Sequence, residues 1–172
     1  MDLSFNCEEF KQYSVDLPYP KVTVTKQNRR YATIISGAFG GKGSEMTAIT
    51  QYGIHRFFIE EYPEAANAYK YIAAVEMIHW NLLGGLIKDL GLCPKFLSYE
   101  TNQPWNGCFP AYGTNFEEII TSDYEGERAA IAHYNRMIGS IDNAEIQSLF
   151  RRIILDEERH IEILTDLYRR YR

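Results

Sequence analysis

The sequence predicts an all-α protein, a four-helix bundle with one long crossover between its second and third helices, preceded by an extended N-terminal arm. Three observations carry this expectation. Apolar residues recur at three and four over long stretches, helix start and stop signals bracket those stretches, and residues 92 to 113 hold Pro94, Pro104, Gly107, Pro110 and Gly113 with no period at all. Short turns inside each helix pair and one long connection between the pairs describe a single-crossover bundle.

Taken in order, residues 1 to 28 lack a helical period, carry Pro18 and Pro20 and then alternate at Val22-Thr23-Val24-Thr25, which reads as an arm lying on the body or on a neighbour. Residues 29 to 172 are expected to form one bundle domain. The first helix is expected from about Arg30 to Glu60, through Ile34, Ile35, Ala38, Phe39, Ala48, Ile49, Tyr52 and Phe57. Gly37, Gly40, Gly41 and Gly43 weaken it, since each interior glycine costs roughly 1 kcal/mol against alanine, so a kink or break is expected before Ser44. Pro63 and Glu64 suit the first turn of the second helix, which runs to Leu90 and stops at Gly91. Thr114 with Glu117, and Asp142 with Glu145, read as capping boxes that open the third and fourth helices, the fourth running nearly to Arg172.

Composition excludes several function classes. The chain has 172 residues, 45% of them hydrophobic, enough for one domain with its own core. Net charge is -5, and the basic residues are scattered apart from Arg29-Arg30, Arg151-Arg152 and Arg169-Arg170, so no footprint for nucleic acid is present. Cys7, Cys93 and Cys108 form no Cys-x-x-Cys pair, which excludes a zinc ribbon and a disulfide framework and makes a reducing cytoplasm the simplest home. No cationic stretch precedes an apolar run at the N-terminus and no apolar run approaches eighteen residues, so neither export nor a membrane span is signalled.

The chemistry-bearing residues repeat. The second helix holds Glu76-Met77-Ile78-His79 and the fourth Glu157-Glu158-Arg159-His160, and a spacing of three puts both side chains on one helical face. Upstream, Glu45 to Tyr52 and Glu127 to Tyr134 both read Glu-x-x-Ala-Ile-x-x-Tyr. The two glutamates of each half are separated by 31 residues (45 to 76) and 30 residues (127 to 157), so the halves look internally repeated. A lone glutamate on the first and third helices with Glu-x-x-His on the second and fourth is the ligand set of a dinuclear carboxylate centre inside a bundle. Glu76 and Glu157 would bridge, Glu45 and Glu127 would be terminal, and His79 and His160 would complete a site suited to two ions of Fe or Mn.

The spacing weighs against a bland reading. Two Glu-x-x-His hits among four histidines arise by chance in about one such sequence in twenty, but their matched placement with the upstream repeat does not follow from chance. Glu76 and His79 also sit among Ile72, Ala73, Val75, Leu83 and Leu86, where uncompensated charge would be costly and bound cations are the natural compensation. Glu125 rivals Glu127, and the repeat favours Glu127; Glu158 is read as solvated. Asp156 is read either as a surface acid or as a group orienting an imidazole from across the bundle. Tyr52 and Tyr134, two turns beyond their glutamates, are read as packing, as hydroxyls on a ligand carboxylate or as carriers of a radical in catalysis. His55 and His133 are read as ordinary packed residues, and Cys93 and Cys108 as buried or facing the site entrance.

With these residues in place, the chain resembles the ferritin-like superfamily, in particular its rubrerythrin and manganese-catalase branch, over about residues 30 to 170. Glu45, Glu76-x-x-His79, Glu127 and Asp156-Glu157-x-x-His160 carry the resemblance, joined by Tyr112-Gly113-Thr114 before the third helix. It implies a ferritin-like bundle with a dinuclear Fe or Mn centre acting on hydrogen peroxide or dioxygen, with those six residues as ligands. Departures are visible. The Cys-rich electron-supplying domain typical of rubrerythrins is absent, only Glu125 stands near their extra glutamate, manganese catalases carry further C-terminal sequence, and storage ferritins add a fifth short helix. The expected function is peroxide removal, by disproportionation with manganese or with an external electron donor if the metal is iron. Rival readings are a ferroxidase and a metal-stabilised structural bundle. A homo-oligomer is expected from flat helix faces and the arm.

Overall fold

The computed structural model describes residues 5 to 172; the first four residues of the expected arm lie outside the described part. A single helical turn, α1 (Cys7–Phe10), is followed by irregular chain with turns and bends to Asn28. Seven further elements follow: α2 (Arg29–Gly40), α3 (Glu45–Phe58), α4 (Pro63–Asp89), the short strands β1 (Leu97–Ser98) and β2 (Gln103–Pro104), and then α5 (Phe116–Ser140) and α6 (Ala144–Tyr171). The fold is a ferritin-like helical bundle. In it α2 and α3 together form the first long helix against α4, and α5 pairs with α6. No helix among the described residues is long and apolar enough to cross a membrane.

The expected break in the first helix is a full interruption at Gly41 to Ser44. Gly40 is required there by close approach, because a Cβ would lie 2.7 Å from the backbone nitrogen of Leu97 and 2.8 Å from the carbonyl of Lys95. Ser44 then caps α3 by accepting from the Thr47 amide, which makes Glu45 the first residue of the helix. The crossover supplies the β1 and β2 hairpin, paired Leu97 with Pro104 and Ser98 with Gln103. It is pinned to the first helix by Trp105, whose indole donates to Thr47 Oγ1 at 2.9 Å, and to α4 through the stack Phe39, Trp80 and Phe96.

Two helix starts fall one residue later than their expected capping boxes. Asn115, not Thr114, caps α5 by accepting from the Glu118 amide, and the Glu118 carboxylate accepts from Thr114 in return. Asn143, not Asp142, caps α6, while the Glu145 carboxylate accepts from the Thr23 amide of the arm. In each case an asparagine beside the expected cap wins, as its short side chain is an equally good cap in extended backbone.

Two apolar layers sandwich the middle of the bundle. One contains Ala32, Ile35, Leu83, Leu86, Tyr134, Met137, Phe150 and Ile153; the other contains Tyr52, Tyr69, Ile72, Val75, Ile119, Ile120, Leu164 and Leu167. Each long helix passes from one layer to the other through one to three buried polar residues. Those polar residues meet between the layers.

Candidate dinuclear metal site

All six residues of the repeated motif come together between the apolar layers. Glu45, Glu76, His79, Glu127, Glu157 and His160 are at most 4% exposed. They form two overlapping groups, Glu45, Glu76, His79 and Glu157, and Glu76, Glu127, Glu157 and His160, within each of which the potential ligand atoms lie within 4.8 Å of one another. Glu76 and Glu157 belong to both. Glu76 turns Oε2 to His79 Nδ1 at 3.1 Å and Oε1 to His160 Nδ1 at 3.0 Å; Glu157 turns Oε1 to His79 Nδ1 at 3.4 Å and Oε2 to His160 Nδ1 at 3.3 Å. Each shared carboxylate thus spreads its two oxygens over both imidazoles. Glu45 reaches His79 Nδ1 at 3.8 Å and Glu127 reaches His160 Nδ1 at 3.5 Å, each serving one group alone. Each group could hold one metal ion.

The electrostatics of this layer are severe. Four carboxylates face two imidazoles away from water, and Glu76 Oε1, both Glu157 oxygens and His160 Nδ1 lack any hydrogen-bond partner. Burial, then the charge of Glu76, raises Glu127 to about 8, and burial with the same neighbour holds Glu45 well above the carboxylate range. Burial works against ionised Glu76 too, but the charge of His160, with the charge and hydrogen bond of His79, outweighs it and holds this carboxyl low. Burial disfavours charge on both imidazoles, yet Glu157 and Asp156 at His79, and Glu127 and Glu157 at His160, push them well above the histidine range. In the absence of metal, protons do the compensating.

The tyrosines of the repeat exchange partners. Tyr52, on the helix of Glu45, donates to Glu127 Oε1, and Tyr134, on the helix of Glu127, donates to Glu45 Oε1. Burial and the neighbouring carboxylate push both phenols well above the tyrosine range, so both remain donors. Asp156 is the buried orienting group and not a surface acid: its Oδ2 lies 3.1 Å from His79 Nε2. Glu125 is exposed and pairs with Arg128, and Glu158 is exposed. Cys93 and Cys108 are both exposed and free, and Cys108 lines the mouth of the cavity described next.

A cavity of about 740 Å³ runs from the crossover to the carboxylates between α3 and α5. Glu45, Glu76, Glu127 and Glu157 lie at its inner end, while neither His79 nor His160 lines it. Its walls are built from small residues, among them Gly37, Gly41, Ala48, Gly126, Ala129 and Ala130, which hold the two helices close without filling the gap. His133 stands on this wall, and a Cβ at Gly37 would meet its ring at 3.4 Å.

Three groups had no signature in the motif pattern. His55 is fully buried, with Nδ1 2.8 Å from Asp123 Oδ2 and Nε2 2.9 Å from the carbonyl of Ala111. Gln51 joins the same knot, donating to Asp123 at 2.7 Å and accepting from the Ala111 amide at 2.6 Å, so that the crossover is tied to α3 and α5 beside the cavity. Arg152 forms an ion pair with Asp156 at 2.8 Å, which its spacing of four on one helix could have suggested. Contacts from residues 13 to 19 of the arm had no local signal.

Solved structures share this fold. The manganese catalase KatB from Anabaena is 20% identical, with a TM-score of 0.80 over 88% of this chain and 76% of that one. A Rhodobacter capsulatus bacterioferritin described with a metal-free dinuclear site is 23% identical, with a TM-score of 0.69 over 85% of this chain and 89% of that one. At such identities the likeness establishes the fold. A sequence search of curated proteins finds no match. The Rubrerythrin family model matches residues 43–168, a span that takes in all six clustered ligand candidates, and the chain therefore belongs to the rubrerythrin family.

Proposed function

We propose that this protein is a dinuclear Fe or Mn carboxylate oxidoreductase acting on hydrogen peroxide, of catalase or rubrerythrin-like peroxidase type. One observation carries the reading: two shared-carboxylate ligand groups are closed on the histidine side and open on the carboxylate side to a cavity leading to the surface. The orphaned buried oxygens and His160 Nδ1 fit divalent cations, and the mixed carboxylate and imidazole set suits Fe or Mn better than a soft metal. The structural neighbours named as a manganese catalase and as a bacterioferritin with a dinuclear site add support.

Glu76 and Glu157 would bridge, Glu45 with His79 and Glu127 with His160 would hold one ion each. Bound there, the pair supplies redox and Lewis-acid chemistry to a peroxide oxygen. The chain's own part is positional and protic. Tyr52 and Tyr134 hold the terminal carboxylates by their hydroxyls, Asp156 fixes the ring of His79, and the small-residue walls admit a peroxide while the apolar layers exclude bulk water. Disproportionation turns two peroxides into two waters and one dioxygen with no outside reductant, whereas the peroxidase version draws two electrons and two protons per peroxide from an external donor. We read the protein as cytoplasmic, supported by its three free exposed cysteines, and as a homo-oligomer, supported by the adjacent exposed Phe57 and Phe58.

Elemental analysis of the purified protein, paired with an oxygen electrode on added peroxide, tests the reading. Two Mn per chain with oxygen release supports catalase chemistry. Two Fe without oxygen release moves the assignment to peroxidase or ferroxidase activity, separated by supplying either a reductant or excess Fe(II). No transition metal after anaerobic loading overturns it.

A further inference from the structure

The histidine side of the cluster is closed by the N-terminal arm. Both ligand histidines turn Nδ1 to the carboxylates and Nε2 away, but what Nε2 meets differs. For His79 it is Asp156 Oδ2. When the halves are superposed on their repeat, the position matching Asp156 is Val75, which has no acceptor to offer His160 in return. The carbonyl of Tyr13 stands in that place, 3.1 Å from His160 Nε2. A backbone carbonyl only accepts, so it keeps the proton on Nε2 and turns Nδ1 to the cluster.

Asp156 is held by the same segment. Its Oδ1 accepts from Ser14 Oγ at 3.0 Å and from the Val15 amide at 2.7 Å, and its Oδ2 accepts from Tyr19 Oη at 2.7 Å. Arg152, its ion-pair partner, donates to the carbonyls of Leu17 at 2.8 Å and Val15 at 2.6 Å and lies over the Tyr19 ring. The Tyr19 ring meets His79 edge-on at 5.9 Å, and Tyr13 stacks on Tyr71 of α4. The outer partners of both imidazoles therefore converge on seven consecutive arm residues, 13 to 19, distant from them in sequence.

We propose that Tyr13 to Tyr19 form a positioning element of the metal centre, so that docking of the arm and binding of metal are one coupled equilibrium. The inference rests on the dinuclear reading above. Coupling is reciprocal: the factor by which the docked arm raises metal affinity is the factor by which metal raises docking. It is also asymmetric. The Ser14 and Tyr19 side chains act through Asp156 on the His79 group, whereas the Tyr13 carbonyl acts on the His160 group. An arm that merely covered apolar surface would affect both positions alike.

The test uses the full chain and Co(II) as the probe, titrated anaerobically and followed by its d–d absorption, with tryptic cleavage at the exposed Lys11 and Lys21 as a second readout. Tyr19→Phe keeps the ring between His79 and Arg152, so any change traces to the hydroxyl; Ser14→Ala removes the second donor. The expected result is about a tenfold or greater loss of affinity at one of two Co(II) positions, the scale of lost outer-layer support, with the other unchanged and an altered spectrum for the affected ion. In the wild type, Co(II) should slow cleavage at both lysines. Two ions bound with equal effects on both positions, or with arm cleavage indifferent to Co(II), overturn this inference alone. A wild type that takes up no Co(II) overturns it together with the dinuclear reading.

Discussion

Raising the pH should destabilise the metal-free protein and strengthen the metal-loaded one. In the metal-free state Glu127 is held up to about 8, first by burial and then by Glu76, and Glu45 is raised for the same reasons. An acid raised on folding binds its proton more tightly in the native state than in the unfolded chain. Its protonation therefore favours the fold at low pH, and that advantage is lost as pH climbs from about 4.5 through 8. His79 and His160 are raised as well, because Glu157 at one and Glu127 at the other outweigh burial. Their contribution is complete below the ordinary histidine value near 6.5 and is lost as pH rises through the folded value, so it runs in the same sense. Glu76 is held low and acts in the opposite sense, but only as pH falls below the carboxylate range. A carboxyl displaced from 4.5 to about 8 sets a ceiling of about 5 kcal/mol on the Glu127 contribution, at about 1.4 kcal/mol per pH unit. Because the cluster shares its protons, a net loss of about 2–4 kcal/mol between pH 5 and 8 is expected. Metal ligands must shed those protons, so Mn(II) or Fe(II) binds better as pH rises and adds about 4 kcal/mol at a thousandfold excess over Kd. Urea unfolding followed by circular dichroism at pH 5, 6, 7 and 8, with chelator and with Mn(II), should give opposite slopes. A metal-free protein as stable at pH 8 as at pH 5 would refute the account of the buried charge.

Four further outcomes are expected. Glu76→Ala or His160→Ala should abolish binding at one or both metal positions while Glu158→Ala leaves the metal count unchanged, as read by elemental analysis. Tyr52→Phe and Tyr134→Phe should each cost about 1–3 kcal/mol in urea unfolding of the metal-free protein, the range for leaving a buried acceptor unpartnered. Since these two bonds span the cavity between α3 and α5, the double variant should lose more than the two single losses together, by over about 0.5 kcal/mol. His55→Ala strips Asp123 of its ring partner and frees the Ala111 carbonyl, a loss of about 2–3 kcal/mol that thermal unfolding would detect. At Gly126 a Cβ would meet only Gln51 Nε2 at 4.0 Å, so Gly126→Leu should point into the cavity, gain about 0.8 kcal/mol of helix stability, keep its metal and turn over peroxide more slowly.

Much of the bundle and the six-residue cluster could be read in the sequence because their determinants are local. The spacing of three in Glu76 to His79 and Glu157 to His160 places each pair on one helical face, and the repeated Glu-x-x-Ala-Ile-x-x-Tyr extends that logic to Glu45 and Glu127. The glycines of residues 37 to 43 foretold the break before α3, whose physical reason is the backbone of Lys95 and Leu97 against Gly40. What stayed hidden depends on contacts between segments far apart. Tyr52 gave a plausible hydroxyl, but that it serves Glu127 and not the glutamate of its own helix follows from how α3 and α5 face each other. His55 looked unpartnered because Asp123 and Ala111 are some sixty residues away. The arm offered no period and no motif, yet Tyr13, Ser14 and Tyr19 reach the two imidazoles through bonds whose existence only the folded chain defines.

The repeat in the ligands and the lack of repeat around them together give the site a direction. Were both outer layers equivalent, each histidine would have an aspartate behind it and the cluster would be closed alike on every side. Val75 in place of a second aspartate removes one such partner, and the arm fills the gap with a carbonyl, sealing the histidine side with groups that only orient and do not exchange. On the opposite side Gly126, Ala129 and Ala130 of α5 face Ala48 of α3 across open space, so a small molecule arriving there meets carboxylates first. Carboxylates can move between one and two contacts without losing charge, whereas an imidazole turned away from its acceptor leaves a buried N–H unpaired at about 1–3 kcal/mol. With the carboxylates at the cavity and the imidazoles under the arm, any rearrangement on metal binding falls to the groups that bear it at least cost.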